Sequence, residues 1–351
     1  MGIIAITLQD LRFRARQFLI AVLGAGLVFA MGLLLSGMVT GFSSEIDHTV
    51  NATGAQWWVL AHGAAARIAG LPVIPESDAF AVAREPGVKR VGVIVVAPQA
   101  VRIGSGVGSV VLVGAVPGTL GSVVPSTGRA VRHRGEAVVD ERLGLVIGSR
   151  FTVANVSFHV IGEVTDRTLL GGEPNAYVSL QDAQQALYGS RPLIGAVLVT
   201  GRPQHLPEGL SLFSDAQVER ASLDQLASAV SSIDNSRIFM WAIAAIIVAA
   251  LVYVSATERT RDFAVLKAIG SSSFLLFLGL AMQAVLVTLC AAAVAAVIAN
   301  FMTGLFDQPV DIPGNAYVVL PVAAIVVGLF ASLAALRRAL SADPAVAFAG
   351  A

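Results

Sequence analysis

The chain is short of charge. Asp, Glu, Lys and Arg make up 13% of its 351 residues, against about 25% in an average soluble domain. The 23 acidic and 23 basic residues cancel, which argues against a protein that holds nucleic acid by its phosphates, since that needs concentrated Lys and Arg. Cys290 is the sole cysteine, so an intramolecular disulfide and a thiolate metal cluster are both excluded. Lysine occurs only at Lys89 and Lys267. Catalytic signatures are missing too. No G-x-x-x-x-G-K-[ST] phosphate loop occurs, which excludes ATP hydrolysis by the usual P-loop. No G-x-S-x-G elbow occurs either. The run from Gly104 to Ser109 lacks the third glycine of a dinucleotide fingerprint and reads as a hairpin between strands. His48, His62, His133, His159 and His205 are scattered, without the i, i+4 pairing of a metal site.

What the chain has is apolar length. Hydrophobic residues are 56% of it, and a helix needs about 20 mostly apolar residues to cross the hydrocarbon core. Residues 18–40, 238–256, 274–299 and 317–336 qualify, and none of these stretches contains Asp, Glu, Lys, Arg or His. The first is too long for the h-region of a signal peptide, about 7–15 residues, so it reads as retained. Arg12, Arg14 and Arg16 precede it, Arg259, Arg261 and Lys267 lie between the second and third stretches, and Arg337 and Arg338 follow the fourth. Basic residues near span ends mark the cytoplasmic side, so both termini are expected inside and the long polar segment outside. The expected fold class is a membrane protein of four transmembrane helices with a large α+β extracytoplasmic domain between helices 1 and 2. Its divisions are a cytoplasmic interfacial helix (1–17), spans at 18–41, 237–256, 274–299 and 317–336, the outer domain (42–236), a cytoplasmic loop (257–273), a short external loop (300–316) and a cytoplasmic tail (337–351).

Within the outer segment, Val- and Ile-rich runs bounded by turn residues predict strands at 88–98, 101–103, 110–116, 137–139, 151–153, 158–164, 176–178 and 196–199. Short helices are expected at 76–84, 141–145 and 180–188. Leu223, Leu226, Val230 and Ile233 recur at 3-4-3 spacing before the second span, and Phe42, Ile46 and Val50 carry a similar stripe after the first. These stripes predict that both helices continue outward as a stalk and pack together, the alternative being an amphipathic helix that lies on the outer domain. Gly24, Gly26, Gly32, Ser36 and Gly37 make a small-residue face on the first span, open to another helix of the chain or to a second protomer. The cluster Arg129, Arg132, His133 and Arg134 reads as a solvated loop rather than an anion site.

The cytoplasmic loop is the most informative segment. Charges crowd its start, and Phe263, Leu266 and Ile269 then recur every three residues, leaving one apolar face on a short helix that Gly270 would end. Ser271 to Ser273 can cap the next helix. Periodicity alone suits docking in a partner's groove and lying in the headgroup layer equally well.

The loop reads Glu258-Arg259-Thr260-Arg261-Asp262-Phe263-Ala264-Val265-Leu266-Lys267-Ala268-Ile269-Gly270. It resembles the coupling segment E-R-x-x-[DE]-[FI]-[AG]-x-[LM]-[KR]-A-[IL]-G of the MacB/FtsX-like ABC transporter permeases. The tail, with Arg337, Arg338, Leu340, Asp343, Pro344 and Phe348, is similar to that family's R-x-x-L-x-x-D-P-x-x-A-L segment, with Phe in place of the last Leu. Residues 138–149, 158–164 and 176–180 look like the MacB-type periplasmic core. Gln283 stands where family members often carry Glu.

The resemblance implies a non-catalytic permease subunit of the bacterial inner membrane. Such a subunit binds no cofactor itself, ATP and Mg being held by a separate ABC ATPase subunit. It implies pairing with a second permease chain, commonly an identical one, in contact with membrane lipid and with an extracytoplasmic adaptor or substrate, and with no nucleic acid. Phe263, Leu266 and Ile269 would be buried docking contacts, with Glu258, Arg259, Arg261, Asp262 and Lys267 at the rim. The cargo class would be a lipid, lipopeptide, peptide or drug-like molecule, exported by mechanotransmission. An FtsX-like adaptor that regulates a cell-wall hydrolase is the alternative.

Overall fold

The computed structural model describes residues 15–258, 265, 270, 272–306, 308 and 310–340. The chain divides into two compact units, Gly41–Ala229 and the combination of Met1–Thr40 with Val230–Ala351. Helix α1 (Ala15–Ala52) has residues in both. The β-rich unit then runs β1 (Trp57–Ala61), β2 (Ile74–Pro75), α2 (Ser77–Ala83), β3 (Arg90–Ile103), β4 (Gly106–Ala115), β5 (Thr127–Gly128), β6 (Glu136–Asp140), β7 (Arg150–Val153), β8 (Val156–Val164), β9 (Thr168–Leu169), β10 (Glu173–Ser179), α3 (Leu180–Tyr188), β11 (Leu193–Ile194), β12 (Ala196–Thr200) and β13 (Leu210–Ser214). Helix α4 (Asp215–Glu258) again has residues in both units, and α5 (Ser273–Met302) and α6 (Ala316–Leu340) belong to the helical unit.

The main sheet has the order β13-β1-β12-β3-β4-β10-β6-β8-β5. It is mixed: β10 lies parallel to β4, and β6 parallel to β8. Successive side chains on a strand point to opposite faces, and here both faces are covered. Val93, Val95, Val110, Leu112, Val197 and Val199 join a core with Ala79 and Val82 of α2 and Leu180 and Ala183 of α3. Their neighbours Ile94, Val96, Val111, Val113 and Leu198 join a second core with Trp58, Leu60, Ile46, Val50 and Val218. Double burial explains why these strands read as continuous Val/Ile runs and not as alternating patterns.

Three local expectations need correction. Residues 88–98 and 101–103 form one strand, because Pro98 sits where it costs little: β3 pairs β4 along one edge, while its other edge pairs β12 at Arg90–Ile94 and β7 at Val101 and Arg102. The helix expected at 141–145 is one 3-10 turn, Glu141–Leu143; Asp140 caps it through the Arg142 amide, and Gly144, with φ of 68°, ends it. Strands β1 and β13 were not expected; they pair with each other, and β1 also pairs β12. The Gly104 segment is the β3–β4 hairpin turn, pairing Ile103 with Gly106.

The helical unit packs on small side chains. Its core includes Ala25, Phe29, Leu33, Ala244, Val248, Val252, Ala284, Ala291, Ala295, Leu320 and Ala324. Among the described residues, α1, α4 and α5 contain stretches long and apolar enough to cross a membrane, and the apolar stretch of α6 described, Ala316–Phe330, is shorter. The small face of α1 is used inside the chain. A side chain at Gly26 would meet the Ala291 carbonyl and Val294 of α5, each at 3.2 Å, and one at Gly32 would meet Trp241 Nε1 of α4 at 3.3 Å. Gly37 lies under Val310 and Ile312, and its carbonyl accepts from the Asp311 amide at 3.0 Å. Gln283 is buried.

Candidate functional site

The loop between β8 and β10 grips the far end of α1. Glu45 is 4% exposed. Its Oε2 accepts from the Gly171 amide at 2.9 Å and its Oε1 from the Gly172 amide at 2.8 Å. Thr49 Oγ1 donates to the Thr168 carbonyl at 3.1 Å, and Arg167 Nη1 donates to the His48 carbonyl at 2.6 Å. Gly171 has φ of +85°, and a Cβ there would stand 3.3 Å from the Phe42 ring, so glycine suits the position twice over. The grip continues into the sheet. Asp140, at the end of β6, accepts from the Arg167 amide at 2.7 Å and the Arg142 amide at 3.0 Å. Burial pushes the Asp140 carboxyl up from its ordinary pKa, against these two N–H bonds, which favour the ion.

The start of α4 is tied to the same unit. Trp58 Nε1 donates to Asp215 Oδ1 at 2.7 Å, and Ser222 Oγ accepts from the Ile68 amide at 3.0 Å while donating to the Val218 carbonyl at 2.7 Å. Of the expected stalk residues, Leu223 and Leu226 pack, half-buried, on the core that contains Ile46, Val50 and Val218, whereas Val230 and Ile233 are half-buried further along the helix. The outer part of each long helix thus lies on the sheet.

The basic cluster is more ordered than a solvated loop. Arg129 holds Glu136 through both guanidinium Nη atoms, Nη1 to Oε2 at 2.9 Å. Glu136 also accepts from the amides of Arg132 and His133. Arg129 and these amides lower the Glu136 pKa from 4.5 to about 2. Arg134 Nε meets the buried Asp182 at 3.2 Å. Two of the arginines therefore fasten buried carboxylates, a role that sequence spacing does not announce.

Of the loop between α4 and α5, expected to be cytoplasmic, few residues are described. Glu258 ends α4 and is exposed, Val265 is helical and exposed, and Gly270 has φ of +99°. Ser272 caps α5, its hydroxyl accepting from the Leu275 amide. Arg259, Arg261, Asp262, Phe263, Leu266, Lys267 and Ile269 lie outside the described residues, as do Asp343 and Pro344; Arg337 and Arg338 fall within α6.

Residues 18–211 match the model of the MacB-like periplasmic core domain, and residues 237–344 that of the FtsX-like permease C-terminal domain. The chain belongs to the MacB/FtsX-like ABC transporter permeases. An uncharacterized ABC transporter permease of Mycobacterium bovis is 37% identical over 98% of each chain, and one of Mycobacterium tuberculosis is 36% identical over the same shares. The crystal structure of the periplasmic region of MacB from Actinobacillus actinomycetemcomitans aligns with 50% of this chain and 96% of its own, at 12% identity and a TM-score of 0.35. As a MacB/FtsX-like permease, this is a membrane protein with an extracytoplasmic domain. The FtsX-like match contains the loop between α4 and α5, α5 and all of α6; the MacB-like match contains both partners of the Glu45 grip.

Proposed function

We propose that this permease couples ATP hydrolysis by a separate ATPase subunit to motion of its extracytoplasmic domain, and that this motion extrudes a lipid, lipopeptide, peptide or drug-like substrate. The observation that carries the reading is the pair α1 and α4. Each is one continuous helix with residues in both units, and the outer part of each is fixed to loops of the β-rich unit by buried polar contacts, Glu45 in one case and Ser222 in the other. In this reading ATP and Mg²⁺ sit on the partner, both termini are cytoplasmic, and two permease chains act side by side. Phe263, Leu266 and Ile269 are the input contacts, and Glu45 with the Arg167–Gly172 loop is the output joint. The apolar spans favour movement of whole helices over ion conduction, which needs ionisable groups inside the bilayer.

Two substitutions test the two ends in a reconstituted complex of permease and ATPase. Leu266→Asp puts a charge in the docking face and is expected to abolish stimulation of the ATPase and transport together; normal transport by this variant would overturn the assignment. Glu45→Ala strips the acceptor from two amides, at about 1–3 kcal/mol. It is expected to retain ATPase stimulation and lose transport, with faster hydrogen exchange at Gly171 and Gly172. Unchanged transport with faster exchange would remove the joint from the mechanism.

A further inference from the structure

Arg237 immediately precedes the second apolar stretch and has no part in the coupling scheme. It borders a cavity of about 230 Å³ in the helical unit, between α1, α4 and the start of α6. One end is polar: Ser36, Arg237 and Asn315. The other is apolar: Leu33, Trp241, Val319 and Leu320. Leu33 and Leu320 are buried, while Val319 is 50% exposed, near the still more exposed Val318 and Val322. The guanidinium is held in place by Nη1 to Ser36 Oγ at 2.9 Å and Nη2 to Asp234 Oδ1 at 2.9 Å. An arginine has five N–H donors, so three remain for another acceptor. Asp234 is 44% exposed, and water and salt screen its charge from a third group.

We propose that this cavity is a subsite for a membrane amphiphile with an anionic headgroup, a phosphate or carboxylate on Arg237 and the first part of an acyl chain over Trp241 and Val319. The guanidinium donors that Ser36 and Asp234 leave unused can take an anionic group, and the apolar wall beside them can take a chain. The volume is below the roughly 300 Å³ of a small-molecule pocket, so it suits part of a larger molecule whose chain continues along the exposed Val318 and Val322. The polar-to-apolar gradient matches an amphiphile, and a free anion would leave the apolar end unused. The inference goes beyond the coupling scheme and does not depend on it.

The test uses the full chain in phosphatidylcholine bilayers containing increasing phosphatidylglycerol brominated in its acyl chains. The three tryptophans are Trp57, Trp58 and Trp241; the first two lie in the β-rich unit, and Trp241→Phe supplies the background. Quenching of Trp241 is expected to saturate at low mole fraction. Arg237→Gln should raise the half-saturating fraction about tenfold, the worth of one charge-assisted hydrogen bond, with Arg237→Lys in between. Brominated diacylglycerol, which has the chains without the charge, should behave towards the native protein as phosphatidylglycerol does towards Arg237→Gln. Val319→Phe fills the apolar end without touching the guanidinium and should weaken binding as well, so the proposal stays testable if Arg237→Gln misfolds. Quenching that rises linearly and equally in all variants overturns the proposal. So does displacement by inorganic phosphate alone, which would make the site one for a free anion, and so does the absence of quenching, as expected if a second copy of the chain covers the cavity.

Discussion

The two units bury different things. The β-rich unit buries large side chains and charged groups: Trp58, Phe151 and Phe158 are fully or almost fully enclosed, and Glu45, Asp140 and Asp182 are enclosed with them, each accepting hydrogen bonds. The helical unit buries mostly Ala and Gly, and the enclosed polar groups among its described residues are neutral: Gln283, Thr288 and Ser332. The difference follows from the solvent. A fold in water gains from every large apolar surface it hides. Helices in lipid gain nothing from hiding Leu from acyl chains, so they associate through close backbone approach and short hydrogen bonds. At Gly328 of α6, for instance, a Cβ would stand 3.2 Å from the Ala284 carbonyl of α5.

The largest expected effect tests this contrast directly. Phe158 stacks on Phe151 with ring centroids 5.3 Å apart, and Phe158→Ala should cost about 3–5 kcal/mol in the denaturant stability of the β-rich unit. Phe29→Ala, equally enclosed in the helical unit, lacks the transfer term from water and should cost clearly less in a detergent unfolding titration. Equal losses would erase the distinction between the units. The next effect has the opposite geometry. Gly26→Leu pushes a side chain into Ala291 and Val294, at about 1–3 kcal/mol, while Gly279, with nothing within 4 Å, should accept the same change at nearly no cost. A helical unit indifferent to Gly26→Leu would not be held by small-residue contact.

Sequence reading was most informative where composition reports the environment. The apolar stretches, the Val/Ile strands and α3 at Leu180–Tyr188 follow from local pattern, as does the Ser272 cap. It was weakest where distant residues meet. Glu45 reads as an ordinary polar residue after a membrane span, because its partners are backbone amides 126 and 127 positions away, and backbone donors leave no trace in side-chain identity. The Gly171-Gly172 pair was the available signal, since consecutive glycines present unobstructed N–H groups. Arg237 was passed over because it stands at the boundary between the outer domain and the uncharged run that starts at Ile238.

The smallest expected effect concerns the buried carboxylates, which among the described residues only the β-rich unit contains. Glu136 titrates near 2 in the folded chain, against an ordinary 4.5. A carboxyl whose pKa is lowered by folding stabilises the fold fully above its unfolded value, and that contribution fades as pH falls from about 4.5 toward 2. Asp140 has the opposite sign: burial raises its pKa, so its ionisation works against the fold as pH rises, tempered by the Arg142 and Arg167 amides. Glu136→Gln should therefore destabilise the β-rich unit by on the order of 1 kcal/mol at neutral pH, since Arg129 is half exposed and solvent screens the pair. The gap from the native chain should narrow steadily below pH 4.5. A gap that stays constant down to pH 2 would mean that Glu136 acts through its shape and its amide contacts, and that its pairing with Arg129 adds nothing to the fold.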